Sequence, residues 1–421
     1  MQDGAPKARP AGGSHRGGKI TTLTPNVLLS AHILSMLGFS TYAALLPELR
    51  DLWQLSNSQA GIIGGMFFAG YIGTVSLWTA LTDRLDARKV YFAGSLLAAA
   101  GSAGFALLAD GFAGAVLFQV VLGVGIAASY MPGLRLLSDR VSGPLQSRSI
   151  AFYTSFFGIG TALSLALAGF VAPAWGWRMA FGLSAFGPLI AGLLVLGMIQ
   201  ALPGQKSQPA FSLSTLFPIA AWRKVLADRA SAGYTLGYGA HCLELFGSRA
   251  WMVAFLAYAA SLHGGDSFPW PAAVIAAVVN LLAVPASILG NEAALRIGRR
   301  RWIVAVMTAS GSSGILLAFG APWHWALVLA LLTVYSMLVM AESGTLTAGL
   351  VAAAPAELRG AAMGLYSLVG FGGGMLGPVV FGAALDAAGG AQSAWAWAAA
   401  YGAIGGGCLL ALPVARAYAR T

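Results

Sequence analysis

The chain has 421 residues, of which 58% are hydrophobic and only 9% are charged, whereas soluble domains carry roughly 25% charged residues. This composition excludes a water-soluble surface, and the apolar residues recur in blocks of about 20, each long enough to cross the hydrocarbon of a bilayer. The net charge of +10 does not indicate nucleic-acid binding, because the basic residues lie in short loops between the apolar blocks and form no stripe with aromatic residues.

Twelve apolar blocks follow one another along the chain, from a first block near 24–46 to a tenth near 323–353 and a twelfth near 394–414. The longest polar interruption lies in the middle. We therefore predict an all-α polytopic membrane protein with twelve transmembrane helices in two pseudo-symmetric six-helix bundles. The predicted parts are a disordered cytoplasmic tail (1–22), an amino-terminal bundle (23–202), a cytoplasmic linker (203–229), a carboxyl-terminal bundle (230–415) and a second cytoplasmic tail (416–421).

The basic residues are divided unequally between the two sides of the predicted membrane protein. Apart from Arg249, which falls within a block, only Arg50 and Arg178 lie on one side, and all other lysines and arginines lie on the side that holds both tails and the linker. The positive-inside rule then predicts that both termini are cytoplasmic. The two cysteines, Cys242 and Cys408, fall inside apolar blocks and are interpreted as small buried residues without a disulfide.

Two residue patterns recur in both halves and indicate an internal duplication. His32 and Gly38 in the first block correspond to His241 and Gly247 in the seventh, with an offset of 209 residues. Gly133, Pro144 and Arg148 likewise correspond to residues 344, 355 and 359, with an offset of 211. Because a six-helix unit returns the chain to the same side, the predicted repeat is parallel, about an axis along the membrane normal.

The loop between the second and third blocks contains Asp83, Arg84, Arg88 and Lys89, and the equivalent loop of the second half reads Arg296-Ile297-Gly298-Arg299-Arg300-Arg301. These loops resemble the signature of the major facilitator superfamily, Gly-x-x-x-Asp-Arg-x-Gly-Arg-Arg, although Thr79 and Asp86 stand where glycines are usual. The resemblance implies a secondary transporter that works by alternating access. It assigns Asp83, Arg84 and Arg88 to a gate, whereas the plainer interpretation is that the basic residues only set topology.

Two other family patterns are incomplete. Gln119, Gly123, Gly125 and Ala127 resemble the pattern Arg-x-x-x-Gly-x-Gly-x-Ala of the fourth span, but Gln119 replaces its arginine. The Gly-x-x-x-Gly-Pro motif of drug antiporters is absent from the fifth block, so the resemblance does not favour multidrug export.

Ionisable residues inside the spans are the main candidates for function, because each costs at least roughly 2.5 to 3.5 kcal/mol at the bilayer centre. The resemblance implies that the first, fourth, seventh and tenth spans line a central cavity. All the candidates lie on three of these spans, as a predicted substrate or proton site: His32, His241, Glu244, Arg249 and Glu342.

On the seventh span, His241 and Glu244 are three residues apart and share a helical face, so they can exchange a proton or together hold a cation. Arg249 lies about 140° around the helix from Glu244 and is expected to face substrate or another span. For His32, the alternative to a substrate or proton site is a histidine that only packs between helices. Tyr42 and Trp251, at matching repeat positions, are interpreted either as aromatic cavity walls or as packing residues.

These patterns predict a transporter that moves a small solute across the cytoplasmic membrane and is coupled to protons. No cofactor or metal is expected, and the predicted partners are a small molecule, protons and lipid, with a monomer as the expected state. The sequence contains no Gly-x-x-x-x-Gly-Lys-Ser/Thr loop for ATP and no nucleophile and base pair typical of an enzyme. The alternative is a transporter-derived membrane sensor or scaffold. A lone arginine favours a small anion, while two carboxylates would equally suit a cation.

Overall fold

The structure, a computed structural model, describes residues 23–141, 144–202, 217–263 and 268–418. These ranges are helical and contain no β-strand. The predicted tail at 1–22, residues 203–216 of the predicted linker and residues 419–421 lie outside the described residues.

The amino-terminal half contains six helical stretches. They are α1 (Leu23–Ser35), α2 (Thr41–Leu52), α3 (Asn57–Leu81), α4 (Ala87–Leu108), α5 (Phe112–Ser138) and α6 (Pro144–Met198). The last of these is two helices joined at Gly176, whose φ of 80° is a left-handed conformation that favours glycine. The chain therefore turns back at Gly176, as two predicted spans require.

The carboxyl-terminal half has the same kinds of element. Its helices are α7 (Ile219–Ala227), α8 (Arg229–Ser261), α9 (Ala272–Ile297), α10 (Arg299–Gly320), α11 (Trp325–Ala341), α12 (Ser343–Ala353), α13 (Arg359–Ala387) and α14 (Ala394–Tyr418). Helix α7 lies within the predicted linker, and its buried Val225 packs with Leu350 and Tyr366. The described part of that linker is therefore helical and packed.

Eight helical stretches in the described ranges are long and apolar enough to cross a membrane, one of them being the 47-residue stretch Phe152–Met198. This confirms an all-α polytopic membrane protein. The count of twelve spans stays a prediction, because Phe152–Met198 covers two predicted spans and the first, seventh and twelfth predicted spans are not among the eight. The first predicted span is split into α1 and α2 by a turn at 36–40, and the tenth, which is among the eight, is split into α11 and α12 at Glu342.

The two halves meet along α3 and α13, where small residues allow close contact. Gly61 faces the carbonyl oxygen of Pro378 and Gly65 that of Met375, and neither position leaves room for a Cβ atom. Close backbone approach through small residues is how membrane helices gain van der Waals contact. The opposed surfaces also hold aromatic residues, and the rings of Phe68 and Phe246 lie 4.5 Å apart across the boundary. A central cavity lies beside this contact.

Candidate functional site

The carboxyl-terminal half contains a buried pair formed by His241 and Glu342. His241 lies on α8, and Glu342 occupies the break between α11 and α12. The His241 Nδ1 atom lies 2.9 Å from Glu342 Oε1, and neither side chain is exposed. Their other polar atoms, His241 Nε2 and Glu342 Oε2, have no hydrogen-bond partner in the described ranges. The pair can therefore pass a proton between carboxyl and imidazole and can accept a further hydrogen bond.

A stack of aromatic rings supports this pair. The His241 ring lies 5.7 Å from the ring of Tyr238, which stacks on Tyr366 at 3.8 Å. The Tyr366 hydroxyl is bonded to Thr347 Oγ1 at 2.9 Å. The stack connects α8, α12 and α13 and holds the imidazole against the helix break.

Glu244 lies one turn further along α8 and has different partners. Its Oε2 atom accepts hydrogen bonds from Ser310 Oγ at 3.1 Å and from Cys408 Sγ at 2.9 Å. The sequence spacing suggested that His241 and Glu244 act together. The structure instead bonds His241 to Glu342 and Glu244 to two neutral groups, because the face of α8 meets a different helix at each turn.

A cavity of about 50 Å³ lies between the two halves. Aromatic side chains from both halves form much of its wall, and helices of both halves contribute: Phe39, Tyr42, Phe67 and Phe68 from the amino-terminal half and Phe246 from the carboxyl-terminal half. The Phe39 and Phe67 rings lie 4.8 Å apart in an edge-to-face contact. A mostly apolar wall with a few polar groups is typical of a small-molecule site.

Arg249 is the charged residue in the cavity wall. It lies five residues beyond Glu244 on α8, about 7.5 Å along the axis, and the structure gives it no hydrogen bond or ion pair with another described residue. A guanidinium presents five donors in a planar fork that matches a carboxylate. The cavity therefore combines one cation with aromatic walls.

Two amide side chains, Gln119 on α5 and Asn280 on α9, also line the cavity. Both are almost fully buried. Gln119 Oε1 and Asn280 Oδ1 have no donor among the residues that the structure describes. Gln119 drew attention in the sequence only as a replaced arginine, so its position beside the same cavity as Asn280 was not predicted.

The matched aromatic residues Tyr42 and Trp251 differ in role. Tyr42 lines the cavity and donates its hydroxyl to the carbonyl of Ala60 at 2.9 Å. Trp251 is fully buried, donates Nε1 to the carbonyl of Pro378 at 3.0 Å and stacks on Phe381 at 5.6 Å. Tyr42 is thus a cavity wall and Trp251 a packing residue at the contact of α8 with α13.

His32 lies outside the cavity wall, among aromatic residues. Its ring stacks on Tyr153 at 4.1 Å and meets Tyr130 edge-on at 5.2 Å. Both ring nitrogens are buried and have no hydrogen-bond partner within the described ranges. This environment is that of a packed aromatic ring.

The loop after α3 holds the predicted gate residues, at what we term the basic end of the molecule (residues 82–89, 135–140 and 296–301). Asp83 forms an ion pair with Arg135, which also bonds Thr82 Oγ1 at 2.9 Å. Arg88 bonds Asp86 at 2.5 Å and the carbonyl of Ile199 at 2.7 Å. The hydrogen bonds from Arg88 hold the pKa of Asp86 below its ordinary value. Arg84 is exposed on the same loop. These contacts connect helices of the amino-terminal half.

The opposite end carries a contact between the halves that the sequence did not indicate. Asp386, at the end of α13, accepts from the backbone nitrogens of Asn57 at 3.1 Å and Ser58 at 2.7 Å, and from their side chains at 2.8 and 2.6 Å. Gln59 N bonds Ser56 Oγ at 3.1 Å. The first three backbone donors of α3 are therefore satisfied, and a carboxylate lies at the positive end of the helix. We call this contact the Asp386 latch.

Solved structures share this fold. A bacterial homolog of the human lysosomal transporter Spinster, in an inward-facing and unoccupied conformation, superposes with a TM-score of 0.75 at 15% identity, covering 96% of both chains. A mutant of the nucleoside transporter NupG superposes with a TM-score of 0.75 at 16% identity, covering 94% of this chain and all of that one. At such identities the likeness concerns the fold, which is that of multi-helix membrane transporters.

A sequence profile of the Major Facilitator Superfamily matches residues 28–378. The chain therefore belongs to this superfamily of membrane transporters, as the loop motif predicted.

Curated relatives match over shorter stretches. The niacin transporter NiaP of Acinetobacter baylyi is 23% identical over 161 residues, which are 38% of this chain and 36% of that protein. The 4-hydroxybenzoate transporter PcaK of the same organism is 25% identical over 150 residues, 36% of this chain and 33% of that protein. The matched stretches thus span about a third of each relative's length.

Proposed function

We propose that this transporter moves a small aromatic carboxylate across the membrane by alternating access, coupled to protons. The observation that carries the proposal is Arg249, a cation without an anionic partner among the described residues, in a cavity walled by aromatic rings. A ligand that fits both features has a planar ring and a carboxylate.

The anion assignment follows from how Arg249 differs from the other buried ionisable groups. Glu244, His241 and Glu342 already have hydrogen-bond partners, whereas Arg249 has donors to offer at the surface of the cavity. A bidentate pair of guanidinium with carboxylate is a strong, charge-assisted contact. A cationic ligand would place like charges together.

The proton assignment rests on the pair of His241 and Glu342. A carboxyl group buried in an apolar bundle favours its neutral form, and the break between α11 and α12 places this one where a helix can bend. Irregular backbone at the site is common in transporters, where broken helices bind substrate and coupling ions. Glu244 is the second proton candidate.

Both halves must separate at one end and meet at the other during alternating access. The Asp386 latch supports a state that is closed at the end opposite the basic loops. The uneven distribution of lysine and arginine supports a cytoplasmic basic end. A cysteine introduced at an exposed residue such as Lys224 tests this orientation. Reaction with an impermeant reagent on intact cells would contradict it.

The role of Asp83 in gating remains part of the proposal. Its ion pair with Arg135 ties α3 to α5 beside the loop that must move. Asp83→Asn is therefore expected to slow transport while leaving substrate affinity nearly unchanged, because only the populations of the states change. Normal turnover in this variant would assign Asp83 to local structure instead.

The relatives add support from outside the structure. Two of them are named as transporters of niacin and of 4-hydroxybenzoate, both of which are aromatic acids. Because the matches cover about a third of those proteins, they support the substrate class only.

Binding by the purified protein tests the substrate. Benzoate and nicotinate are expected to raise the melting temperature, whereas benzamide, which has the same ring but no charge, is not. Arg249→Gln should abolish the response to the two acids. A protein that responds equally to benzamide and benzoate would contradict recognition of an anion.

Uptake tests transport and the alternative of a sensor. Proteoliposomes should accumulate labelled benzoate when a pH gradient is imposed and only equilibrate it without one. A protein that binds benzoate but shows neither uptake nor exchange would instead fit a transporter-derived sensor.

A further inference from the structure

Asn280 presents a hydrogen-bond acceptor that no described residue satisfies. Its Nδ2 atom donates to the carbonyl of Ala276 at 2.8 Å and lies 3.8 Å from Met252 Sδ. These two contacts fix the orientation of the amide, because the opposite orientation would bring two oxygens together. The Oδ1 atom is therefore the end left over, and it is buried without a donor.

Gln119 presents a second amide oxygen of this kind on the other half of the molecule. Its Oε1 atom is buried and has no donor from any described residue, and its side chain lines the same cavity as Asn280 and Arg249. The cavity wall thus contains one cationic side chain and two amide side chains, one amide on each side of the boundary between the halves, and each amide has a buried acceptor oxygen without a donor.

A buried acceptor without a donor is unfavourable, and native structures keep few of them. An aromatic carboxylate without other polar groups would satisfy Arg249 but would leave both amide oxygens unsatisfied. A ligand with its own O–H or N–H group would satisfy the amides as well. A site of this kind binds an analogue that lacks the donor more weakly.

From these contacts we infer that the ligand is an aromatic carboxylate that carries a hydrogen-bond donor on its ring, with the carboxylate at Arg249 and the donor at the amide oxygens of Asn280 and Gln119. This inference rests on the proposed function, since it concerns the same cavity. It makes Asn280 and Gln119 the residues that determine specificity, and Arg249 the residue that determines charge.

Dissociation constants of the purified protein for benzoate, the three hydroxybenzoates and 4-aminobenzoate test the inference. The protein should bind at least one ring-donor compound about tenfold or more tightly than benzoate, since a matched donor adds a hydrogen bond and removes an unsatisfied acceptor. Equal affinities across the series would overturn the inference and leave the proposed function intact. Failure of every aromatic acid to bind would contradict both the inference and the proposed function.

Variants then assign the effect to residues. Asn280→Leu keeps the volume but removes the acceptor, so it should weaken binding of the preferred compound and bring the ratio to benzoate close to one. Gln119→Met makes the same test on the other wall if the first variant does not fold. The matched control is Asn291→Leu, because Asn291 lies on the same helix, also has an orphan Oδ1 atom and is not in the cavity wall.

Asn291→Leu should keep the wild-type ratio. A preference for ring donors that survives in both Asn280→Leu and Gln119→Met would show that the amides are not its cause and would overturn the inference.

Discussion

His32 and His241 occupy equivalent positions in the two halves of the chain, yet their surroundings differ in kind. His32 lies between Tyr130 and Tyr153, and its ring nitrogens have no partner in the described part of the chain. His241 is bonded to Glu342. Since both histidines sit on helices that the repeat predicts to be equivalent, the helical framework alone does not set their surroundings. An acidic residue on a neighbouring element is present beside His241, and aromatic rings surround His32.

The same division extends to the cavity. The amino-terminal half contributes three phenylalanines, Tyr42 and Gln119 to the cavity wall, whereas the carboxyl-terminal half contributes Arg249. Gln119 is neutral and stands where the family pattern has an arginine. The charge of the Asp386 latch also comes from the carboxyl-terminal half. One half thus supplies mainly shape, and the other supplies charge.

The largest effect is expected from replacing Arg249, the cation that the carboxyl-terminal half contributes to the cavity. Arg249→Gln should weaken binding of an aromatic acid by roughly 10- to 150-fold, because a hydrogen bond to a charged group contributes about 1.5–3 kcal/mol. Arg249→Lys keeps the charge but not the planar fork, and should fall between wild type and Gln. Titration calorimetry on all three proteins measures the series. Wild-type affinity in Arg249→Gln would place the anion site elsewhere.

The next largest effect is expected at the pair of His241 and Glu342. Glu342→Gln mimics the protonated state, so accumulation driven by a pH gradient should fall to simple equilibration while counterflow survives. Glu244→Gln tests the second proton candidate beside it, and we expect a smaller loss because Glu244 bonds only Ser310 and Cys408 among the described residues. Uptake and counterflow in proteoliposomes separate the two activities.

Two outcomes would change this view. Accumulation retained in both well-folded variants would exclude either carboxyl as an essential proton carrier. A Glu342→Gln protein that fails to fold would indicate a structural pair, because a buried group then loses its partner.

The Asp386 latch extends the comparison to the contact between the halves. Asp386→Asn should weaken the closed state of that end by about 1 kcal/mol, a roughly fivefold change in the ratio of states, because the charge at the α3 amino terminus is lost. Distances between spin labels placed at the two ends measure the ratio. Asp51→Asn is the control, since Asp51 is exposed and pairs with its neighbour Arg50. An equal shift in both variants would contradict the latch.

The smallest effect is expected at His32. His32→Phe preserves the stacking on Tyr153 and removes two unsatisfied nitrogens, so the melting temperature should stay equal or rise, and transport should change less than about twofold. His241→Phe should by contrast lose proton-driven accumulation. A matching loss in His32→Phe would show that the two halves share the proton role after all.

The sequence predicted the helical membrane fold, the family and the buried ionisable residues, because hydropathy and charge patterns are local properties of the chain. It did not predict which residues these ionisable side chains contact. The spacing of His241 and Glu244 suggested a joint site, but Glu342 is 101 residues away from His241, and only packing brings them together.

The other features that the sequence did not predict also depend on packing. Asp386 stands at the end of a helix like an ordinary capping residue, and its contact with Asn57 and Ser58 depends on how the halves meet. Asn280 and Gln119 are polar residues in spans, and their orphan oxygens are visible only when every neighbouring donor has been placed. Breaks at 36–40 and Glu342 escaped the hydropathy pattern because the residues around them remain apolar.

The hydrogen bond from Cys408 to Glu244 gives the protein a spectroscopic reporter. The chain has only two cysteines, both buried with free thiols, so infrared spectra would contain two S–H stretching bands in a region free of other protein absorption. Only the Cys408 thiol donates to a carboxyl, at 2.9 Å, and its band should shift when Glu244 gains or loses a proton. Replacing Cys408 to prepare a cysteine-free background would erase this signal and alter the carboxyl it reports on.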